Sequence, residues 1–128
     1  MNLEAIQRAL SEPPDFEWVL PIRTVNELNA RPGHWAMTRK RTSAERATST
    51  MAARAHFRPM RKPQVVRFTR LSAGVLDDDG LRAALKGTRD GVADAVGCDD
   101  SVRAGIEWLY TQEPCERGHY AVKVAVWV

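Results

Sequence analysis

Three consecutive carboxylates, Asp77-Asp78-Asp79, open a stretch that continues through Lys86 and Asp90 to a second pair, Asp99-Asp100. Seven of the sixteen acidic residues fall between positions 77 and 100, in a chain whose formal net charge is +3. One acidic residue is enough to cap a helix, and each further carboxylate adds repulsion. The excess calls for a counter-ion or for full solvation. Carboxylate oxygens are the donors that hard cations such as Mg2+ prefer, and one or two of them with phosphate and water make a site. A metal held in this way activates water and offsets charge on a scissile phosphate, while a nearby lysine stabilises the developing negative charge. Asp, Asp, Lys and a further Asp are therefore ingredients of phosphodiester hydrolysis. The same residues also make a solvated, over-capped helix start, with Asp78 as the cap and Lys86 paired to Asp90.

A second feature is basic. Arg39, Lys40, Arg41, Arg46, Arg54, Arg58, Arg61, Lys62, Arg67 and Arg70 share residues 39–70 with one acid, Glu45, a local net charge of +9 that leaves −6 for the remainder. So many cations in one stretch predict contact with a polyanion, through phosphates and with steep salt dependence. His34, His56 and His119 have no metal-ligand spacing, and the four tryptophans read mainly as core. Cys98 and Cys115 lack a C-x-x-C spacing, which argues against a disulfide framework or zinc site and for a reducing cytoplasm. No signal-peptide core and no membrane-spanning run is visible. The length of 128 residues, with 44% hydrophobic and 27% charged content, fits one globular domain.

The elements that must position these residues follow from periodicity. Residues 2–11 predict a short helix with Leu3, Ile6 and Leu10 as its apolar face, stopped by Pro13-Pro14 and accessory to a main domain from 16 to 128. Residues 16–22 predict a strand, 26–33 a loop, and 34–40 an extended or irregular segment. Thr42 and Glu45 match a capping box, which predicts a helix from Ser43 to about Phe57 with Ala44, Ala47, Met51, Ala55 and at its end Phe57 on its apolar face. Residues 64–71 alternate as a half-buried strand. Leu81 to Val96 predicts one helix, with Leu81, Ala84, Leu85, Val92, Ala95 and Val96 inward and Asp79, Arg82, Lys86 and Asp90 outward, ended by Gly97. Residues 103–112 and 119–128 read as a hairpin around Pro114 and Gly118. Together these give an α/β (α+β) fold, one mixed sheet packed against helices in a single domain. If strands 64–71 and 103–112 share that sheet, the intervening helix crosses over it.

This order of parts resembles the RusA-like family of phage and prophage Holliday-junction resolvases. The resemblance runs over residues 16 to 127. It rests on Asn26 and Asn29 in the first loop, the basic stretch from Thr38 to Arg58, Asp77-Asp78-Asp79-Gly80 after a strand, Lys86-x-x-x-Asp90 on a helix, the Asp99-Asp100 pair, and the final strands. It implies Asp77, Asp79 and Asp100 as metal-binding catalytic carboxylates and Lys86 as the catalytic lysine. It further implies Mg2+ (with Mn2+ able to substitute), a homodimer, and symmetric cutting of branched DNA such as a four-way junction. The chain departs from the family pattern at Gly80, where Asn is usual, and in the interval from Asp79 to Lys86, which is longer by three residues. Two other classes stand beside the nuclease: a branched-DNA binder of the same family without catalysis, and a protein-interaction module that joins subunits through its oppositely charged faces.

Overall fold

The computed structural model describes residues 1–25, 35–58, 61–97 and 105–128. Among these run α1 (Leu3–Ser11), β1 (Phe16–Leu20), α2 (Trp35–His56), β2 (Val65–Ser72), α3 (Asp78–Ala84), α4 (Lys86–Ala95), β3 (Glu107–Pro114) and β4 (Ala121–Trp127). The strands form one mixed sheet in the order β1-β4-β2-β3. β4 is antiparallel to both its neighbours, and β2 is parallel to β3 with Val65 opposite Glu107 and Ser72 opposite Pro114. The chain is thus a single α+β domain, and α3 and α4 cross over between β2 and β3, as the sequence predicts for two strands that share a sheet.

Alternation sends the two sides of the sheet into two cores. Val66, Phe68, Val122, Val124 and Val126 pack with Phe57, Leu81, Leu85 and Val92 of the large helical layer. Val65, Ala125 and Trp127 face the other way, onto Ala5 and Ala9 of α1. The inward face of α1 is therefore its alanines, because small side chains let the helix lie close over the Trp127 ring. Leu3 and Leu10, expected inside, are 68% and 77% exposed.

The hairpin expected between residues 103–112 and 119–128 does not form, since β2 lies between β3 and β4. The burial pattern gives the reason. Val122, Val124, Val126 and Trp127 are almost fully enclosed, with inward residues on both sides of the sheet, which suits an inner strand, whereas β3 has no buried residue, is half-buried to exposed, and takes the edge. Six residues from Cys115 to Tyr120 carry the chain past the end of β2.

Helix α2 starts at Trp35, so residues 35–40 are helical rather than extended and Thr42 is no N-cap. Its inward residues are Glu45, Ser49 and Ala53, while Ala44, Ala47, Met51 and Ala55 face solvent. The partner decides this. Gly87 and Gly91 of α4 lie against α2, and an added Cβ on Gly91 would stand 2.5 Å from the Arg46 carbonyl oxygen and from the Ser49 Cβ. Helices this close accept only short side chains between them. The Ser49 hydroxyl donates to the Thr88 carbonyl at 2.7 Å, and the Thr50 hydroxyl lies 3.0 Å from that of Gly91.

The long helix expected over 81–96 is two. Leu85 leaves helical geometry (φ −99°, ψ 2°), although the bonds from Leu85 N–H to Leu81 and from Arg89 N–H to Leu85 survive. Asp90 consequently turns inward and is buried, while Asp79, Arg82 and Lys86 stay exposed. The end is as expected: Gly97 sits past the helix with φ +68°, its N–H donating to the Asp94 carbonyl.

Candidate functional site

β2 ends at Ser72, and five residues later the chain enters α3. Asp77 is the N-cap, not Asp78: its backbone is extended, and its Oδ1 accepts the Gly80 N–H at 2.7 Å. Asp78 and Asp79 occupy the first turn, exposed, where the partial positive charge of the helix start favours carboxylates. Neither makes a hydrogen bond or ion pair among the described residues. The turn is held from behind by β3. The Leu76 N–H donates to Gln112 Oε1 at 3.0 Å, and Gln112 Nε2 donates back to the Leu76 carbonyl at 2.7 Å.

Lys86 opens α4, exposed and without an ion-pair partner among the described residues, so the surface pair with Asp90 is not made. Its stem borders two depressions. One, of about 510 Å3, runs between Arg82, Lys86, Arg89, Glu107, Trp108 and Tyr110. The other, of about 420 Å3, lies between α2 and α4 and is walled by Thr38, Arg39, Thr42, Arg46, Lys86 and Asp90. Arg82 stands 5.7 Å from the Tyr110 ring centre and Arg89 6.0 Å from that of Trp108. Cations are thus laid against aromatic rings, and Arg89 Nη2 also stands 3.5 Å from Asp90 Oδ1.

The basic block divides. Lys40, Arg54, Arg61 and Lys62 are exposed, and Arg39 is exposed over the Trp35 ring at 5.6 Å. Arg41 is half-buried with a partner of its own. Arg46 is committed to Asp94 by a two-point ion pair whose Nη2–Oδ1 arm is 2.8 Å, and that contact raises its pKa above the ordinary arginine value. Arg58 caps the end of α2 by donating to the Arg54 carbonyl at 2.8 Å. Arg67 points to the α1 side of the sheet, 5.0 Å from the Trp127 ring centre. Arg70 is buried at 6% exposure. Ten cations contiguous in sequence therefore do not form one surface, because a strand sends alternate residues to opposite sides.

Asp100, expected as the third carboxylate, lies outside the described residues, as do Asp99, Asn26 and Asn29. Among the described residues no group of three or more His, Cys, Asp or Glu is placed to hold a metal ion. The exposed donors at the turn are all carboxylate oxygens, the right chemistry for Mg2+ bound by one or two protein ligands together with phosphate and water. No described helix is long and apolar enough to cross a membrane. Sequence reasoning missed Gln112, Arg82 and Arg89. Gln112 lies in the polar run Thr111-Gln112-Glu113 of an edge strand, where no pattern marks one residue over its neighbours.

Comparison of the chain with protein-family models, with curated proteins and with solved structures finds no match in any of the three.

Proposed function

We propose that the protein is a Mg2+-dependent, structure-selective endodeoxyribonuclease that resolves Holliday junctions and related branched DNA, acting as a homodimer in phage or prophage recombination or replication. One observation carries the reading. The exposed carboxylates Asp77 and Asp79 stand beyond the carboxyl end of β2, beside its parallel neighbour β3, where open α/β sheets bind their ligands. Asp77, through the oxygen not used in capping, and Asp79 would hold the ion, with Asp100 as the third ligand implied by the family resemblance. Bound Mg2+ would supply an activated water and charge neutralisation at the scissile phosphate.

This chain's own residues do the rest. The exposed Lys86 ammonium, without an ion-pair partner among the described residues, would stabilise the negative charge that develops on the phosphate oxygens. Arg82 and Arg89, propped on Tyr110 and Trp108, line the cleft beside it and fit a strand backbone. Lys40, Arg54, Arg61 and Lys62 offer phosphate contacts that orient the duplex arms. A homodimer would present two such sites to the symmetric strands of one junction.

A second reading is a branched-DNA-binding relative without nuclease activity. The use of Asp77 as a helix cap favours it, because that role needs no metal. Incubating a four-way junction with Mg2+ and either the wild-type chain or Asp79→Asn separates the two. The nuclease reading expects symmetric nicks from wild type and none from the variant. Tight, salt-sensitive binding by both with cutting by neither leaves the binder.

A further inference from the structure

A second depression, about 500 Å3, lies at the end of β2 that leads to the acid turn. Arg23, Arg70, Arg117, Ser72, Thr24 and Tyr120 line it, and no carboxylate does among the described residues. At its floor is Arg70, an enclosed charge for which no counter-ion stands among the described residues. Its Nε donates to Thr24 Oγ1 at 2.8 Å, Nη1 to the Gly74 carbonyl at 3.0 Å, and Nη2 to Ser72 Oγ at 3.0 Å. Every one of these acceptors is neutral. The guanidinium is therefore fixed in place while its charge is not compensated among the described residues, a costly state for a buried ion. Burial pushes its pKa below the ordinary arginine value, opposed by the nearby Cys115 thiol group, and it remains a cation at any physiological pH.

Two exposed arginines complete the rim. Arg23 lies 4.7 Å from the Tyr120 ring centre, which orients it without neutralising it, and Arg117 comes from the loop before β4. Three guanidinium groups, the Thr24 and Ser72 hydroxyls with protons free to turn outward, and no acid among the described residues form an oxyanion receptor.

We propose that this cleft is a phosphate-binding subsite that takes one backbone phosphate of a nucleic-acid strand whose neighbouring phosphates reach the Asp77–Asp79 turn. The inference rests on the nucleic-acid reading above and adds where the strand is held. The two places are coupled by hydrogen bonds. Arg70 Nη1 reaches Gln112 Oε1 at 3.4 Å, and the same amide grips Leu76, the residue before the acids. A phosphate drawn onto Arg70 would thus bear on the group that positions the turn.

The test reads binding without turnover, in EDTA. The wild-type chain and an Arg23→Ala/Arg117→Ala double variant, both changes on exposed side chains, are titrated with a labelled four-way junction at several salt concentrations. The Arg70 Nε–H resonance is followed in parallel with junction DNA and with inorganic phosphate. The subsite predicts about tenfold weaker junction binding for the double variant, a log–log salt slope smaller by about one or more, and displacement of the Arg70 signal by both ligands. A double variant with unchanged affinity and slope overturns the subsite alone. An Arg70 signal moved by inorganic phosphate but not by DNA overturns the nucleic-acid assignment. A wild-type chain that binds no DNA overturns the subsite and the functional reading together, whereas a chain that binds here but fails to cut in the Mg2+ assay above removes only the nuclease.

Discussion

Gln112 grips Leu76 by both of its backbone groups, through an amide that accepts at 3.0 Å and donates at 2.7 Å. The geometry is that of one more ladder pair, made by a side chain beyond the point where β2 has stopped. It fixes the last residue before Asp77, so the start of α3 inherits its position from the sheet. The third contact of that amide, with Arg70, ties the acid turn to the arginine cleft.

Replacing Gln112 by Ala should therefore loosen the turn without dissolving the sheet. Three hydrogen bonds to partly buried groups are lost, two with Leu76 and the longer one with Arg70, for about 1–3 kcal/mol. Urea unfolding should show that loss with an unchanged m value, and the Leu76 amide should exchange its hydrogen much faster than amides at the centre of β2. Wild-type protection at Leu76 in the variant would show that the amide positions nothing.

Asp77 has two separable roles, and one pair of variants distinguishes them. Asn caps a helix as well as Asp does, so Asp77→Asn should keep wild-type stability, whereas Asp77→Ala should lose about 1 kcal/mol. A carboxylate that also holds a metal makes both variants inactive on a junction with Mg2+. If Asp77→Asn cuts as wild type does, Asp77 is a cap and nothing more.

How far the sequence carried can be seen element by element. The crossover was legible only on the condition that β2 and β3 share a sheet, because β2 alternates and the apolar stripe from Leu81 to Val96 is plain; the parallel sense of the two strands was not. Gly97 was legible as a terminator for its left-handed backbone. The order of β3 and β4 was not, since two strands joined by six residues read as a hairpin unless burial is known in advance. Nor was the inward face of α2. Hydrophobicity pointed to Met51, but Gly87 and Gly91 bring the helices too close for it and select Ser49 instead, a pairing that no single helix displays. At the site, the acids and Lys86 were marked by type and spacing. Their support was not, because Gln112 and Arg70 act through neighbours distant in sequence.

The division of the basic block predicts unequal effects on DNA binding. Arg46 is held by Asp94 and should contribute little to phosphate contact, while Lys40 and Arg54 are exposed. Lys40→Ala and Arg54→Ala should each lower the salt slope of junction binding by about one. Arg46→Ala should leave the slope unchanged and cost at most about 1 kcal/mol of stability, as expected for an exposed ion pair. Slopes that fall equally for all three would mean that the bond to Asp94 is broken when DNA binds.

The contact between α2 and α4 gives the sharpest test of the architecture, because it hinges on a missing methyl group. An added Cβ at Gly91 would meet backbone oxygen and Cβ atoms at 2.5 Å, which no rotamer can relieve, so the helices must part. At Gly87 the nearest atoms are at 3.0 and 3.2 Å, and at Gly74 nothing lies within 4 Å. Alanine favours a helix over glycine by about 1 kcal/mol, which offsets part of the strain at the first two positions. Overpacking of about 1–3 kcal/mol should still prevail at Gly91. The urea midpoints should therefore fall most for Gly91→Ala and less for Gly87→Ala, and hardly change for Gly74→Ala. Parting these helices also moves Lys86, which begins α4 one residue before Gly87. Gly91→Ala should accordingly lose junction cleavage even at temperatures where it remains folded. A Gly91→Ala protein as stable and as active as wild type would mean that α2 and α4 stand further apart than the Ser49–Thr88 bond requires.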